Sequence, residues 1–182
     1  MSEVSDRYGR VAARFTALVE GCPPERWSAP SPCEGWTARD VAAHTVDVQR
    51  RVAAGVDGST AAPLGPDEDV APAWRAATAA VQAALADATI AGATAKGPFG
   101  EQPFEQLVGR LGCADALVHT WDFARATGQD ERLDAEAVAA AGAFLTPMGD
   151  RLRGAGAFAP ALPPPDGADA QTALLCFLGR RV

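Results

Sequence analysis

This sequence predicts an all-α fold, a four-helix bundle with an extra C-terminal helical segment, on three observations. Long stretches carry apolar residues at the three- and four-residue spacing of a single helix face. Between them lie glycine- and proline-rich segments that break the pattern. Strand-like patterning competes with helix at one place only, Thr94 to Phe99. The 182 residues fit one domain, 1–182, large enough to bury a substantial core.

The first helix, Ser5 to Glu20, rests on Tyr8, Val11, Ala12, Phe15, Leu18 and Val19. Gly21 and the Pro23-Pro24 pair end it, and a loop runs through Trp27 to Cys33. Thr37-Ala38-Arg39-Asp40 fits a capping box, with Trp36 and Val41 placed to form a hydrophobic staple at the start of the second helix. Val41, Thr45, Val48 and Val52 form its stripe, and Gly55 closes it. After a loop over 55–69, Val70, Trp74, Ala77, Val81, Leu85 and Ala88 define a third helix from Val70 to Ala88. Gly97-Pro98-Phe99-Gly100 reads as a turn, too short and isolated for a phosphate loop.

A fourth helix, Phe104 to Thr127, turns Leu107, Leu111, Ala114, Val118 and Trp121 inward and stops at Gly128. A fifth starts at Leu133-Asp134 and carries Val138, Ala141, Leu145 and Met148, with Pro147 set to kink or end it. Ala159 to Pro165 is predicted extended across the surface. Gln171 to Leu178 is a short apolar helix with Arg180 and Arg181 beyond its C-terminal end.

Composition removes several function classes. The net charge is −7 and the pI about 4.8, with no lysine and arginine cluster of the kind phosphate backbones need, so nucleic acid is not an expected partner. No apolar run approaches the ~18 residues of a membrane span. The N-terminal Met-Ser-Glu-Val-Ser-Asp-Arg has neither a basic leader nor an apolar core, and a cytoplasmic location is expected. The four cysteines, Cys22, Cys33, Cys113 and Cys176, are scattered and lack a Cys-x-x-Cys pair. They read as small buried hydrophobes rather than disulfide partners, with Cys33 set apart by its neighbours.

The candidate chemistry lies between Gly112 and Gly128. On a helix Asp115, His119 and Asp122 fall within an arc of about 100°, so two carboxylates bracket an imidazole. His44, the only other histidine, sits on the apolar side of the second helix. Imidazole nitrogens with a carboxylate are ligands for zinc and similar divalent ions, and three protein ligands leave the open position of a catalytic site. The plainer reading is a satisfied core histidine at 44 and a salt-bridged, half-exposed flank at 115–122. A cysteine–histidine pair using Cys33 or Cys113 is a weaker alternative, and no nucleophile-elbow signal supports a serine triad.

Three stretches and one short turn resemble a known family. Ser31-Pro-Cys33-Glu-Gly35-Trp36-Thr37-Ala-Arg-Asp40-Val-Ala-Ala-His44 resembles a Cys-x-Gly-Trp…Asp…His segment of the mycothiol-dependent maleylpyruvate isomerase N-terminal-domain family, one of the DinB-like helical bundles. His119-Thr-Trp121-Asp122-Phe-Ala124-Arg-Ala-Thr127-Gly128 resembles the signature of its actinobacterial metal-binding branch. The ending Leu174-Leu-Cys-Phe177-Leu-Gly179-Arg180-Arg181 is similar to the closing motif of that branch, and Gly97-Pro98-Phe99-Gly100 to its middle turn.

The resemblance implies a DinB-like bundle holding one divalent metal, zinc or nickel, on His44, Asp115 and His119. The family carries glutamate or histidine at the middle position, so Asp115 is a departure, and Asp122 stands as a substitute ligand or as the residue that orients an imidazole and handles protons. Cys33, Gly35 and Trp36 are assigned to shaping the entry to the second helix. The resemblance further implies a low-molecular-weight thiol such as mycothiol as cosubstrate, a small-molecule electrophile, and a metal-dependent thiol S-transferase or isomerase. The alternative is a non-catalytic bundle that binds metal or a small ligand. The chain ends soon after the second motif with no expected isomerase-type C-terminal domain, so maleylpyruvate itself is not inferred. No oligomeric state is set, a homodimer being one option.

Overall fold

A computed structural model describes residues 2–153 and 158–182. The chain gathers into two compact units, 1–131 and 132–182. Apart from one short hairpin, the regular structure of both is helical.

In the first unit α1 (Glu3–Glu20), α2 (Ala38–Ala54), α3 (Val70–Ala86) and α6 (Ala114–Thr127) form the four-helix bundle. Each of α1 and α2 packs against both α3 and α6, so the helices follow one another round the core in the order α1, α3, α2, α6. Phe15 lies at the centre, its ring centroid 4.6 Å from Trp74 and 5.6 Å from Phe123. Fully burying side chains of this size contributes about 1.5–3 kcal/mol each, which is why the apolar stripes dictate the bundle. Trp74 keeps its polar handle satisfied by donating Nε1–H to Thr16 Oγ1 at 2.9 Å.

The capping chemistry follows the sequence closely. Ser2 caps α1 by accepting from Ser5 N, and Thr37 and Asp40 close a full capping box on α2, with Thr37 N donating to Asp40 Oδ2 at 2.8 Å. The third helix is shorter than its stripe predicts. Asp87 turns extended and its carboxylate caps Thr89 and Ile90, starting the separate α4 (Ala88–Gly92) and leaving Ala88 exposed rather than in the core. The stretch where strand competed with helix is a hairpin: β1 (Thr94–Gly97) pairs antiparallel with β2 (Gly100–Pro103) across the predicted turn.

The predicted fourth helix is not continuous. It consists of α5 (Phe104–Leu107), a π-helical turn over Val108–Cys113, and then α6. Leu111, expected in the core stripe, is only half-buried within that wider turn. Twelve of the fourteen residues of α6 are buried, His119 and Asp122 of its polar row among them, while Asp115 stays partly exposed, so most of the expected half-exposed flank is turned inward.

The second unit holds α7 (Ala135–Leu145), capped by Asp134, a 3₁₀ turn over Thr146–Leu152 and α8 (Ala170–Phe177), capped by Asp169. The α-helix gives way just before Pro147, as that residue requires. Among the described residues no helix is long and apolar enough to cross a membrane.

Candidate metal centre

Two helices and one loop converge on the site. His44 sits in the second turn of α2, and Asp115, His119 and Asp122 lie along α6. The loop before α2 is pinned by a two-residue bridge, Pro30 against Thr37, with Ser31 N donating to Trp36 O at 2.9 Å. Within it Trp36 N donates back to Cys33 O at 3.0 Å, and Gly35 takes φ +76°, the third position of a type II turn that only glycine fills without strain. This turn brings Cys33 and Trp36 side by side, and both reach the α6 row.

All four predicted site residues meet there. His44 Nε2 lies 3.2 Å from Asp115 Oδ1, and His119 Nε2 lies 3.6 Å from the same oxygen. The two imidazole centroids are 4.8 Å apart, edge to face. Asp122, fully buried, accepts from His119 Nδ1 at 2.9 Å. Cys33 Sγ lies 3.4 Å from the same Asp122 oxygen. Trp36 covers the pair, its centroid 5.0 Å from the His44 ring and 6.1 Å from the His119 ring, nearly parallel to the latter.

The electrostatics are those of positive charge drawn in by carboxylates. Burial opposes the charged form of His119 most strongly, yet Asp115, the bond to Asp122 and the contact with Cys33 outweigh it and push its pKa up to about 10.

The donor set fits a divalent ion. A tetrahedral ion with bonds of about 2.0–2.1 Å spaces its ligand atoms roughly 3.3 Å apart, and the 3.2 and 3.6 Å separations bracket that value. One ligand atom from each of His44, Asp115 and His119 lies within 4.8 Å of the other two. Asp115 Oδ2 is buried without a hydrogen-bond partner among the described residues, which leaves a costly acceptor unanswered. With Nδ1 committed to Asp122, the second nitrogen of His119 faces the other two donors. A second trio, Cys33, His119 and Asp122, is equally close, but its members are already joined through the Asp122 carboxylate.

Sequence reasoning did not foresee that Cys33 reaches Asp122 or that Trp36 lies over both histidines. The Cys-x-Gly-Trp spacing carried that information, since a glycine two residues after a cysteine suits a turn that returns the fourth residue beside the first.

The fold and site define a helical bundle of the DinB type with a partly buried histidine–aspartate cluster. The model of the mycothiol maleylpyruvate isomerase N-terminal domain matches residues 8–124, a span containing every residue of the cluster, and the chain belongs to that family. It is 35% identical over 175 residues to two proteins of Mycobacterium tuberculosis, Uncharacterized protein MT0763 of strain CDC 1551 / Oshkosh and Uncharacterized protein Rv0738 of strain ATCC 25618 / H37Rv, covering 95% of this chain and of each relative. No solved structure matches significantly.

Proposed function

We propose that the chain binds one divalent metal ion, zinc or nickel, through His44, Asp115 and His119, and uses it with a low-molecular-weight thiol such as mycothiol in an S-transfer or thiol-dependent isomerisation. The observation that carries this reading is the spacing of three ligand-type atoms around Asp115 Oδ1, with the far nitrogen of His119 already bonded. A bound divalent ion would supply the chemistry of stabilising the thiolate form of the cosubstrate near neutral pH.

The chain's own residues do the rest. Asp122 holds the Nδ1 proton of His119 and so directs Nε2 toward the cluster, which supports an orienting role for this carboxylate. The Cys33 contact falls on the same Asp122 oxygen that His119 uses and helps to hold it in place. Trp36 offers an aromatic wall beside the histidines that shields the site from bulk water. The thiol gives up its S–H proton to solvent, and the thiolate forms a C–S bond to an electrophilic carbon, the displaced electron pair leaving with a halide or moving from a conjugated alkene onto its activating carbonyl. In S-transfer a leaving group departs; in isomerisation the C–S bond breaks again after rotation about the former double bond.

A coordination sphere completed by protein would favour a bundle that only binds metal. Asp122, the nearest spare carboxylate, is engaged at the other nitrogen of His119, which favours the open, reactive arrangement. The test is elemental analysis of metal-loaded wild type against a His44→Ala, His119→Ala double variant. About one equivalent of metal in the wild type and near none in the variant is expected, and equal content in the two refutes the site. Thiol consumption with conjugated alkenes and alkyl halides then separates turnover from binding alone.

A further inference from the structure

A buried amide lies one helical turn beyond His44. Gln49 is on α2, has no solvent exposure, and donates Nε2–H to the Gly112 carbonyl at 3.0 Å. Its Oε1 accepts from the Tyr8 hydroxyl at 2.9 Å. Tyr8 is buried too, and burial, with Cys113 next in effect, raises its pKa, so the phenol remains a donor. A glutamine in a dry core costs free energy unless both ends of the amide are met, and here both are.

Gly112 belongs to the π turn over Val108–Cys113, three residues before Asp115. Its carbonyl is taken by a side chain from the facing helix. A Cβ on residue 112 would sit 3.1 Å from Gln49 Oε1, so the approach of the amide depends on glycine. The register consequence is large. A π turn adds one residue to the helical repeat, and one residue is worth about 100° of rotation. With Phe104 and Leu107 anchored in the core, a plain α-helix through 108–113 would turn Asp115 about 100° away from its present bearing on His44.

We propose that Gln49 is a positioning residue for the metal cluster: by holding the Gly112 carbonyl it maintains the π turn that aims Asp115 at His44 and His119. The inference rests on the metal reading above and adds to it the device that sets the geometry between the two ligand-bearing helices.

The full-length chain tests it with Co(II), by chelator competition for affinity and by the visible absorption of the bound ion for geometry. Gln49→Leu keeps an apolar fit but removes both bonds. It should weaken Co(II) binding about tenfold or more and change the absorption at saturating metal. Leu18→Ala serves as the control: a buried core truncation ten residues along α1 from Tyr8, about 15 Å of helix, it should lower thermal stability while retaining wild-type affinity and spectrum. Tyr8→Phe removes only the hydroxyl bond and should weaken binding to a smaller extent, which keeps the proposal testable if Gln49→Leu fails to fold. Wild-type affinity and spectrum in Gln49→Leu, or in Tyr8→Phe if that variant alone folds, would overturn the positioning role and leave the metal reading standing. A wild type that takes up no Co(II) would instead bring down the metal reading and this inference together.

Discussion

His119 makes a different contact through each ring nitrogen, Nδ1 to Asp122 and Nε2 toward Asp115, and this division is the most consequential feature at the scale of single residues. Asp122→Asn changes almost no volume but gives the side chain an amide that can donate to Nδ1, leaving the proton on Nε2 where a metal should bind. Metal affinity should fall about 10–100-fold with little loss of fold, measured by chelator competition and circular dichroism. Cys33 touches the same carboxylate but lies outside the three-donor trio. Changing Cys33, Cys113 and Cys176 together to alanine should therefore leave thiol-dependent turnover in place, provided the variant folds, whereas His119→Ala should abolish it. The reverse pattern, a dead triple-cysteine variant and an active His119→Ala, would mean that the chain's own thiols do the chemistry.

Among the elements, α2 shows how local sequence chemistry fixes a functional helix. Thr37→Ala removes the capping oxygen and should cost about 1 kcal/mol of stability by chemical denaturation. Hydrogen bonds from the Thr37 hydroxyl and backbone hold the Asp40 carboxyl below its ordinary value of 3.8. Its contribution is therefore complete above that ordinary value and is lost as pH falls through the lower folded value. The stability gap between wild type and Asp40→Asn should accordingly close as the pH drops below about 4, and a gap that widened would contradict the assignment. The box, the stripes and the stop signals were legible in the sequence because each is a local rule with a fixed spacing. The π turn was not, because Val108 to Cys113 satisfies helical periodicity and its widening depends on Gln49, a partner 63 residues away in the chain. The break at Asp87 was hidden likewise, since a capping aspartate within an alanine-rich run preserves the apolar pattern. At the site, helical spacing set Asp115, His119 and Asp122 on one arc of a helix and His44 on the apolar side of another, but their grouping into one candidate ligand set came from the family resemblance. Cys33 and Trp36 act from a loop, where spacing says little about direction.

For the molecule as a whole, the bundle of the first unit depends on the aromatic cluster around Phe15. Phe15→Ala should lower the stability by about 3–5 kcal/mol, read from denaturant unfolding, because the ring is fully buried between Trp74 of α3 and Phe123 of α6 and its removal leaves a cavity there. The far-ultraviolet dichroism should be that of an α protein, with the ten-residue hairpin region too small to register. The intrinsic emission of the chain comes from four tryptophans, and Trp36 has its ring against both imidazoles. A paramagnetic ion such as Ni(II) or Co(II) held by those imidazoles would lie within contact range of an excited indole and drain its fluorescence, while closed-shell Zn(II) would leave it bright. With metal bound as proposed, the ring that the Gly35 turn sets against the cluster would act as an optical gauge, telling one kind of ion from another without any added label, and Trp36→Phe should silence it.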